Sequence, residues 1–279
     1  MNSFLSKPVT KIVFLFLSFV LVAFFLGGFV LNGLLRLQPQ VANTIVIFVI
    51  LLITHLAFKR EGKSLSELGL TPSLRHLCIG VWGLILGGLF IIPLVYAVTW
   101  MKGYPVVFNQ GFDLRYIFSG LWLLAPTVIL EELAFRGICF VKTVDLTGVR
   151  KANVIFALAF IVSHWLNMGE SGNLPQMMIL LITGLGHLLY ATALLKSGTL
   201  YFPIGIHLGN NWVTYFVFNG AAQADAAGGQ TGRSLINIMA QTDPPAFTAE
   251  FLLTTTTTAL FFLLFALAIR YSYKGTIAG

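Results

Sequence analysis

Two adjacent carboxylates lie inside an apolar run of this 279-residue chain. Glu131 and Glu132 occur within WLLAPTVILEELAFRGICF, and Arg136 follows Glu132 after one helical turn. An ionisable side chain near the centre of a bilayer costs roughly 2.5–3.5 kcal/mol, so such a residue is a functional hypothesis by default. At positions i and i+4, Glu132 and Arg136 share a helical face, and an ion pair between them would partly offset their burial. Glu131 points about 100° away and is left without that partner.

Two histidines reach a similar depth in their own apolar runs. His164 ends VIFALAFIVSH, and His207 lies in GTLYFPIGIHLGNNW with Asn211 one turn later. At a rise of 1.5 Å per residue, Glu131, His164 and His207 each lie roughly 16–20 Å from the basic residue that marks the cytoplasmic end of their run. Groups that are distant in sequence but equal in depth can meet inside a helix bundle. Each histidine could instead form only a structural hydrogen bond between helices.

Three further residues of chemically versatile type are interpreted as structural. His187 has a similar depth, but Gly184 and Gly186 beside it predict close helix packing. Cys78 and Cys139 both lie in apolar runs, which predicts small core residues and no disulfide framework or zinc-finger spacing.

The elements that must position these side chains are membrane spans. Hydrophobic residues make up 57% of the chain and charged residues only 10%, whereas soluble domains carry about 25% charged residues. The composition and the length of the apolar runs predict an all-α, polytopic transmembrane helix bundle, forming a single integral membrane domain over 1–279 with a motif-bearing core at about 116–219. Breaks at charges, Pro and Gly predict about eight spans, at 12–35, 41–58, 77–100, 116–141, 153–168, 175–195, 200–219 and 250–271.

The basic residues predict how these spans are oriented. With both termini in the cytoplasm, twelve of the 17 Lys and Arg residues fall on the inner side and four on the outer side, with Arg136 inside a span. The polar linker 59–76 is then cytosolic and contains a short interfacial helix, and the loop 220–248 lies on the far side. Because the positive charge is explained by membrane topology, we expect a lipid bilayer as its partner, with no nucleic acid. The plasma membrane is the expected location.

Three of these motifs together resemble a known signature. Glu131-Glu132-x-x-x-Arg136, Phe160-x-x-x-His164 and His207-x-x-x-Asn211 are similar to the motifs of the CAAX prenyl protease and bacteriocin-processing (CPBP, or Abi) family. The contexts SGTLYFPIGIHLGNNW and SLSELGLTP are also similar to that family, and the resemblance covers about residues 60–220. It implies an all-α membrane bundle whose site opens toward the cytosol.

The resemblance implies roles for six residues. Glu131 and His164 would activate a water for attack on a peptide carbonyl, and His207 and Asn211 would stabilise the resulting oxyanion. Glu132 and Arg136 would support Glu131. A metal mechanism stays open, because Glu131, His164 and His207 also make a plausible zinc set with an open position for water.

Other function classes are compatible with the same residues. A transporter or proton-coupled channel also uses intramembrane Glu, His and Arg, although here these groups cluster at one level and do not form a ladder across the bilayer. A non-catalytic immunity or scaffold protein is the third alternative. For a protease, the expected substrate is a peptide or membrane protein, either a CAAX-type prenylated peptide or a leader peptide.

Overall fold

The structure is a computed structural model that describes residues 7–167, 172–219, 233–239 and 247–272. Within these residues it is a helix bundle with a very small sheet. The main helices are α1 (Pro8–Leu21, continued by a π-helix over Val22–Leu34), α2 (Pro39–Lys59), α3 (Leu74–Met101), α4 (Leu114–Arg136), α5 (Ile138–Thr147), α6 (Val149–Asn167), α7 (Leu174–Ile179), α8 (Thr183–Ser197), α9 (Tyr201–Trp212, continued by a π-turn over Val213–Val217) and α10 (Phe247–Ser272).

Seven helical segments of the described chain are long and apolar enough to cross a membrane. They are Pro8–Leu34, Pro39–Lys59, Leu74–Met101, Leu114–Thr147, Val149–Leu166, Met177–Ser197 and Phe251–Tyr271. The eighth predicted span is also helical, over the 12 residues of α9 and the five of its π-turn, which makes it slightly shorter than the others. The all-α bundle predicted from the sequence is therefore confirmed.

Proline, polar capping side chains and glycine mark the ends of several helices. Pro8 and Pro39 occupy the first positions of α1 and α2, where the missing N–H needs no intrahelical partner. Ser73 and Asp113 accept hydrogen bonds from backbone N–H groups at the starts of α3 and α4. The predicted fourth span breaks at Gly137, where an added Cβ would overlap the carbonyl oxygen of Leu133. The break ends α4 directly after Arg136.

Connecting segments that the predicted topology places on the same side of the membrane meet at the same end of the bundle. At one end, the linker 59–76 contacts α5 and the turn that follows α8: Glu61 pairs with Lys142, and the Leu200 N–H donates to the Leu68 carbonyl at 3.0 Å. At the other end, β1 (Val106–Phe108) pairs antiparallel with β3 (Ile236–Ile238), which pairs parallel with β2 (Phe218–Asn219).

The all-α prediction did not anticipate this sheet. Most of the predicted loop 220–248 lies outside the described residues.

The linker is more closely packed than an interfacial segment would be. Its helix is a four-residue 3-10 turn, Leu65–Leu68, and Leu68 is 1% exposed within the main hydrophobic core. Gly69 follows with φ +62°, a left-handed conformation that lets its backbone lie against Thr199. The Thr199 hydroxyl donates to the Gly69 carbonyl at 3.0 Å. The linker therefore holds the start of α9.

The packing of α3 against α9 depends on glycine. A Cβ at Gly83 would lie 2.6 Å from the Phe202 carbonyl oxygen, and one at Gly87 would overlap the carbonyl oxygen of Ile206. On the facing helix, a Cβ at Gly205 would overlap the carbonyl oxygen of Gly80. Glycines at such positions let two membrane helices pack backbone to backbone. This contact positions α9, which carries His207.

We predict that Gly87→Ala destabilises the bundle, because the added methyl must push the α9 backbone away. Overpacking of this kind typically costs about 1–3 kcal/mol. Thermal unfolding in detergent measures the effect. Gly28→Ala is the matched control, since nothing lies within 4 Å of its Cβ position and its φ is not left-handed. Equal melting temperatures for the two variants would contradict the close backbone contact.

The predicted orientation can be tested by cysteine labelling in a Cys78→Ser background, because Cys78 is exposed. Val107 is 50% exposed on β1, and the side chain of Glu67 is 44% exposed in the linker. We expect a membrane-impermeant maleimide to reach Val107→Cys only from outside the cell and Glu67→Cys only from the cytoplasmic side. The reverse pattern would invert the topology, and labelling of both residues from one side would contradict the helix alternation.

Candidate active site

The two adjacent glutamates occupy different environments at the end of α4. Glu132 is completely buried, and the Arg136 Nη1 donates to its Oε1 at 3.2 Å. Glu131 faces elsewhere, and 25% of its side chain is exposed. The ion pair predicted from the i, i+4 spacing is thus present. Glu131 is the partly exposed member of the pair.

His207 connects the two carboxylates. Its Nδ1 lies 2.8 Å from Oε1 of Glu132, and its Nε2 lies 3.7 Å from Oε2 of Glu131. An ionised carboxylate can only accept, so the hydrogen of the shorter contact belongs to His207 Nδ1. The distance to Glu131 is slightly longer than a direct hydrogen bond. Arg136, Glu132, His207 and Glu131 therefore form one continuous chain of polar contacts, from a buried guanidinium to a partly exposed carboxylate.

An aromatic wall surrounds the buried part of this chain. The Arg136 guanidinium carbon lies 4.3 Å from the centroid of the Phe160 ring and 5.1 Å from that of Tyr190. The Tyr190 ring also stacks on the His207 imidazole, with centroids 4.4 Å apart and planes 16° apart. Asn210 donates through Nδ2 to the Tyr190 hydroxyl at 3.1 Å. The sequence analysis missed Tyr190 and Asn210, because a lone tyrosine in an apolar run and an asparagine outside the motif spacing carry no distinct pattern.

His164 belongs to the same region but makes no direct contact with the other predicted site residues among the described side chains. Its Nδ1 lies 2.9 Å from the Phe160 carbonyl oxygen, which can only accept, so Nδ1 carries the hydrogen and Nε2 is left as an acceptor.

The level of His164 follows from the aromatic contacts of α6. Phe135 packs on Phe160 at 4.9 Å, and Phe140 packs on Phe156 at 5.5 Å, so the two stretches run antiparallel. One helical turn beyond the first of these contacts are Glu131 on α4 and His164 on α6. The two side chains predicted to act together therefore lie at one level.

Asn211 lies one turn after His207 on α9 and is half-buried. In the described part of the chain its amide has no hydrogen-bond partner. An amide donor with this placement is available to a ligand, whereas the neighbouring Asn210 amide is already bonded to Tyr190.

The zinc set predicted from Glu131, His164 and His207 is only partly brought together by the fold. Among the described residues, no three His, Cys, Asp or Glu side chains are grouped closely enough to hold a metal ion. Glu131 and His207 approach each other, but His164 is directed to the Phe160 carbonyl. This arrangement does not fit a three-ligand zinc site. The zinc set stays a prediction.

His187 is surrounded by aromatic rings. It is completely buried, its ring lies 5.5 Å from that of Phe140 and 6.2 Å from that of Phe156, and neither ring nitrogen has a hydrogen-bond partner among the described residues. A Cβ at Gly184 would lie 2.8 Å from the Ile161 side chain, in agreement with the close helix packing expected there.

Comparison with known proteins places this site within a family segment. Residues 113–213 match the family model described as Rce1-like, type II CAAX prenyl endopeptidase. The match contains all three motifs and confirms the CPBP resemblance. No curated protein and no solved structure matches the chain. At family level the match supports a CAAX-type intramembrane protease, and together with the seven long apolar helices it supports an integral, multi-pass membrane protein.

Removal of Arg136 tests whether the ion pair is structural. We predict that Arg136→Ala lowers both folded yield and melting temperature in detergent, because it leaves the Glu132 carboxylate buried without its cation. Breaking a buried pair in this way typically costs about 3–5 kcal/mol. Arg115→Ala removes an exposed arginine from the start of the same helix and should leave yield unchanged. Normal folding of Arg136→Ala with lost turnover would instead assign Arg136 to the chemistry.

Proposed function

We propose that this protein is an intramembrane endopeptidase that hydrolyses a peptide bond of a membrane-associated peptide by direct attack of an activated water. The observation that carries the proposal is the contact chain Arg136–Glu132–His207–Glu131, which ends in a carboxylate that is partly exposed. Three of its members are held by buried contacts, so Glu131 is the one acid with room for a water and a substrate.

Glu131 is the proposed general base. It accepts one proton of the water while the water oxygen attacks the carbonyl carbon, which gives a tetrahedral intermediate with a negative oxygen. His164 lies at the level of Glu131, and its Nε2 assists the return of this proton to the amide nitrogen. The C–N bond then breaks, and the products are a carboxylate and an amine.

Asn211 and His207 are the proposed oxyanion donors. The Asn211 amide always carries two donor hydrogens, and it has no other partner among the described residues. His207 uses the hydrogen on Nδ1 for Glu132, so its Nε2 donates to the oxyanion only when both ring nitrogens carry a hydrogen. Fixed donors of this kind act most strongly where water is excluded.

The proposed setting is the plasma membrane, with both termini and the site opening toward the cytoplasm. Two substrate classes fit an intramembrane peptidase with this family match: the C-terminal peptide of a prenylated CAAX protein and the leader of a secreted peptide. A substrate of either class must associate with the membrane for its scissile bond to reach the depth of Glu131.

We predict that Glu131→Gln and His164→Ala abolish cleavage of a prenylated CAAX peptide by the purified protein, with little change in melting temperature. Glutamine keeps the size and hydrogen bonding of glutamate but cannot accept the water proton. Glu67→Gln is the control, because Glu67 is an exposed carboxylate in the linker. Leader peptides are assayed in parallel to distinguish the two substrate classes.

The remaining site variants separate the roles. His207→Ala and Asn211→Ala should leave residual activity, as loss of one oxyanion donor lowers the rate by about 10²–10³. Stoichiometric zinc in the purified protein, lost together in Glu131, His164 and His207 variants, would replace the proposed mechanism by a metal-dependent one. Full cleavage by Glu131→Gln would exclude both mechanisms, whereas absence of cleavage by the wild type would make a transporter the leading interpretation.

A further inference from the structure

Tyr190 makes three contacts with the polar chain of the site. Its ring stacks on the His207 imidazole at 4.4 Å, it lies 5.1 Å from the Arg136 guanidinium carbon, and its hydroxyl accepts from Asn210 Nδ2 at 3.1 Å. Tyr190 is 4% exposed and Asn210 is 3% exposed. Because Tyr190 belongs to α8 and Asn210 to α9, the hydrogen bond joins two helices at the level of the imidazole.

The stacking supplies a constraint that the carboxylates do not. Contacts of Nδ1 with Glu132 and of Nε2 with Glu131 act on the edges of the His207 ring. The χ2 torsion of histidine is broad, so edge contacts alone leave the tilt of the ring plane loosely defined. A tyrosine ring with planes 16° apart holds the face of the imidazole.

Asn210 in turn restricts the tyrosine. It occurs three residues after His207 on the same helix, so the helix that carries the imidazole also carries the donor that holds its stacking partner. A buried amide-to-hydroxyl bond removes the freedom of the Tyr190 ring to slide along the imidazole face. Both contacts lie in the buried interior, where water does not compete for them.

We infer that Tyr190 is a positioning residue for His207 and that Asn210 holds Tyr190 in register. The role of Tyr190 in turnover rests on the proposed peptidase function, whereas the effect of Tyr190 on the His207 ring does not. Neither residue contacts the partly exposed Glu131 carboxylate, so both act through the imidazole plane.

The test combines kinetics with NMR of protein that carries ¹⁵N-labelled histidine. The chain has five histidines, so the Nδ1–H resonance of His207 can be assigned by comparison with His207→Gln. We expect Tyr190→Leu to shift or lose this resonance and to lower kcat by about 10² with KM nearly unchanged, the scale of a small misplacement of a catalytic group.

Two milder variants test the hydrogen bond separately. Tyr190→Phe keeps the stacking ring and removes the hydroxyl, and Asn210→Ala removes the donor. Each should broaden the His207 resonance and lower kcat less than Tyr190→Leu does. Because both remove the same contact, the double variant should lose no more than the larger single loss.

Tyr116→Phe is the matched control. Its ring packs on Phe216 at 5.1 Å, and its hydroxyl has no hydrogen-bond partner among the described residues, so both readouts should remain as in the wild type. A folded Tyr190→Leu protein with an unchanged His207 resonance and kcat would overturn the inference. If that variant does not fold, unchanged spectra for Tyr190→Phe and Asn210→Ala would overturn it. If the wild type cleaves no peptide, the proposed function fails and the NMR result alone decides the role of Tyr190.

Discussion

The site is organised around one carboxylate that has no access to solvent. Glu132 is stable in an apolar bundle only because Arg136 and His207 both donate to it. Those two bonds determine the rest: the first fixes the end of α4, and the second brings α9 to α4 and turns the other imidazole nitrogen toward Glu131. A buried charge thus organises the reactive group beside it. The carboxylate that would do chemistry is the one that this network leaves partly exposed.

Several glycines let the backbone segments around the site approach closely enough for Glu132 to bond with Arg136 and His207. Glycines let α3 and α9 approach until their backbones touch, the linker turn at Gly69 holds Thr199 just before α9, and Gly137 ends α4 directly after Arg136. Each device removes side-chain bulk where two backbones or a helix break need the space. In a bilayer, where lipid competes for apolar contacts, such close packing contributes much of the association between helices. The geometry of the site therefore depends on residues that carry no chemistry.

The family match and the contacts that hold the site involve partly different segments of the chain. The match extends over residues 113–213, which include α4 to α9. The contacts of that segment with α3 and the linker lie outside the match, yet they hold the helix that carries His207. The proposed peptidase site needs the surrounding bundle for its precision, because a carboxylate and an imidazole displaced by about 1 Å from their working positions lose most of their effect.

The sequence alone determined the spans, the level of Glu131, His164 and His207, and the Glu132–Arg136 pair, because hydrophobic length and i, i+4 spacing are local properties that one helix expresses by itself. The rest depends on how helices face each other. The rotation and register of α4, α8 and α9 decide which nitrogen of His207 meets which glutamate, and they place Tyr190 over the imidazole. They also let Asn210 bond to Tyr190, whereas the Asn211 amide has no partner among the described residues. Those quantities arise from packing between segments distant in the chain, and a single sequence carries no local pattern for them.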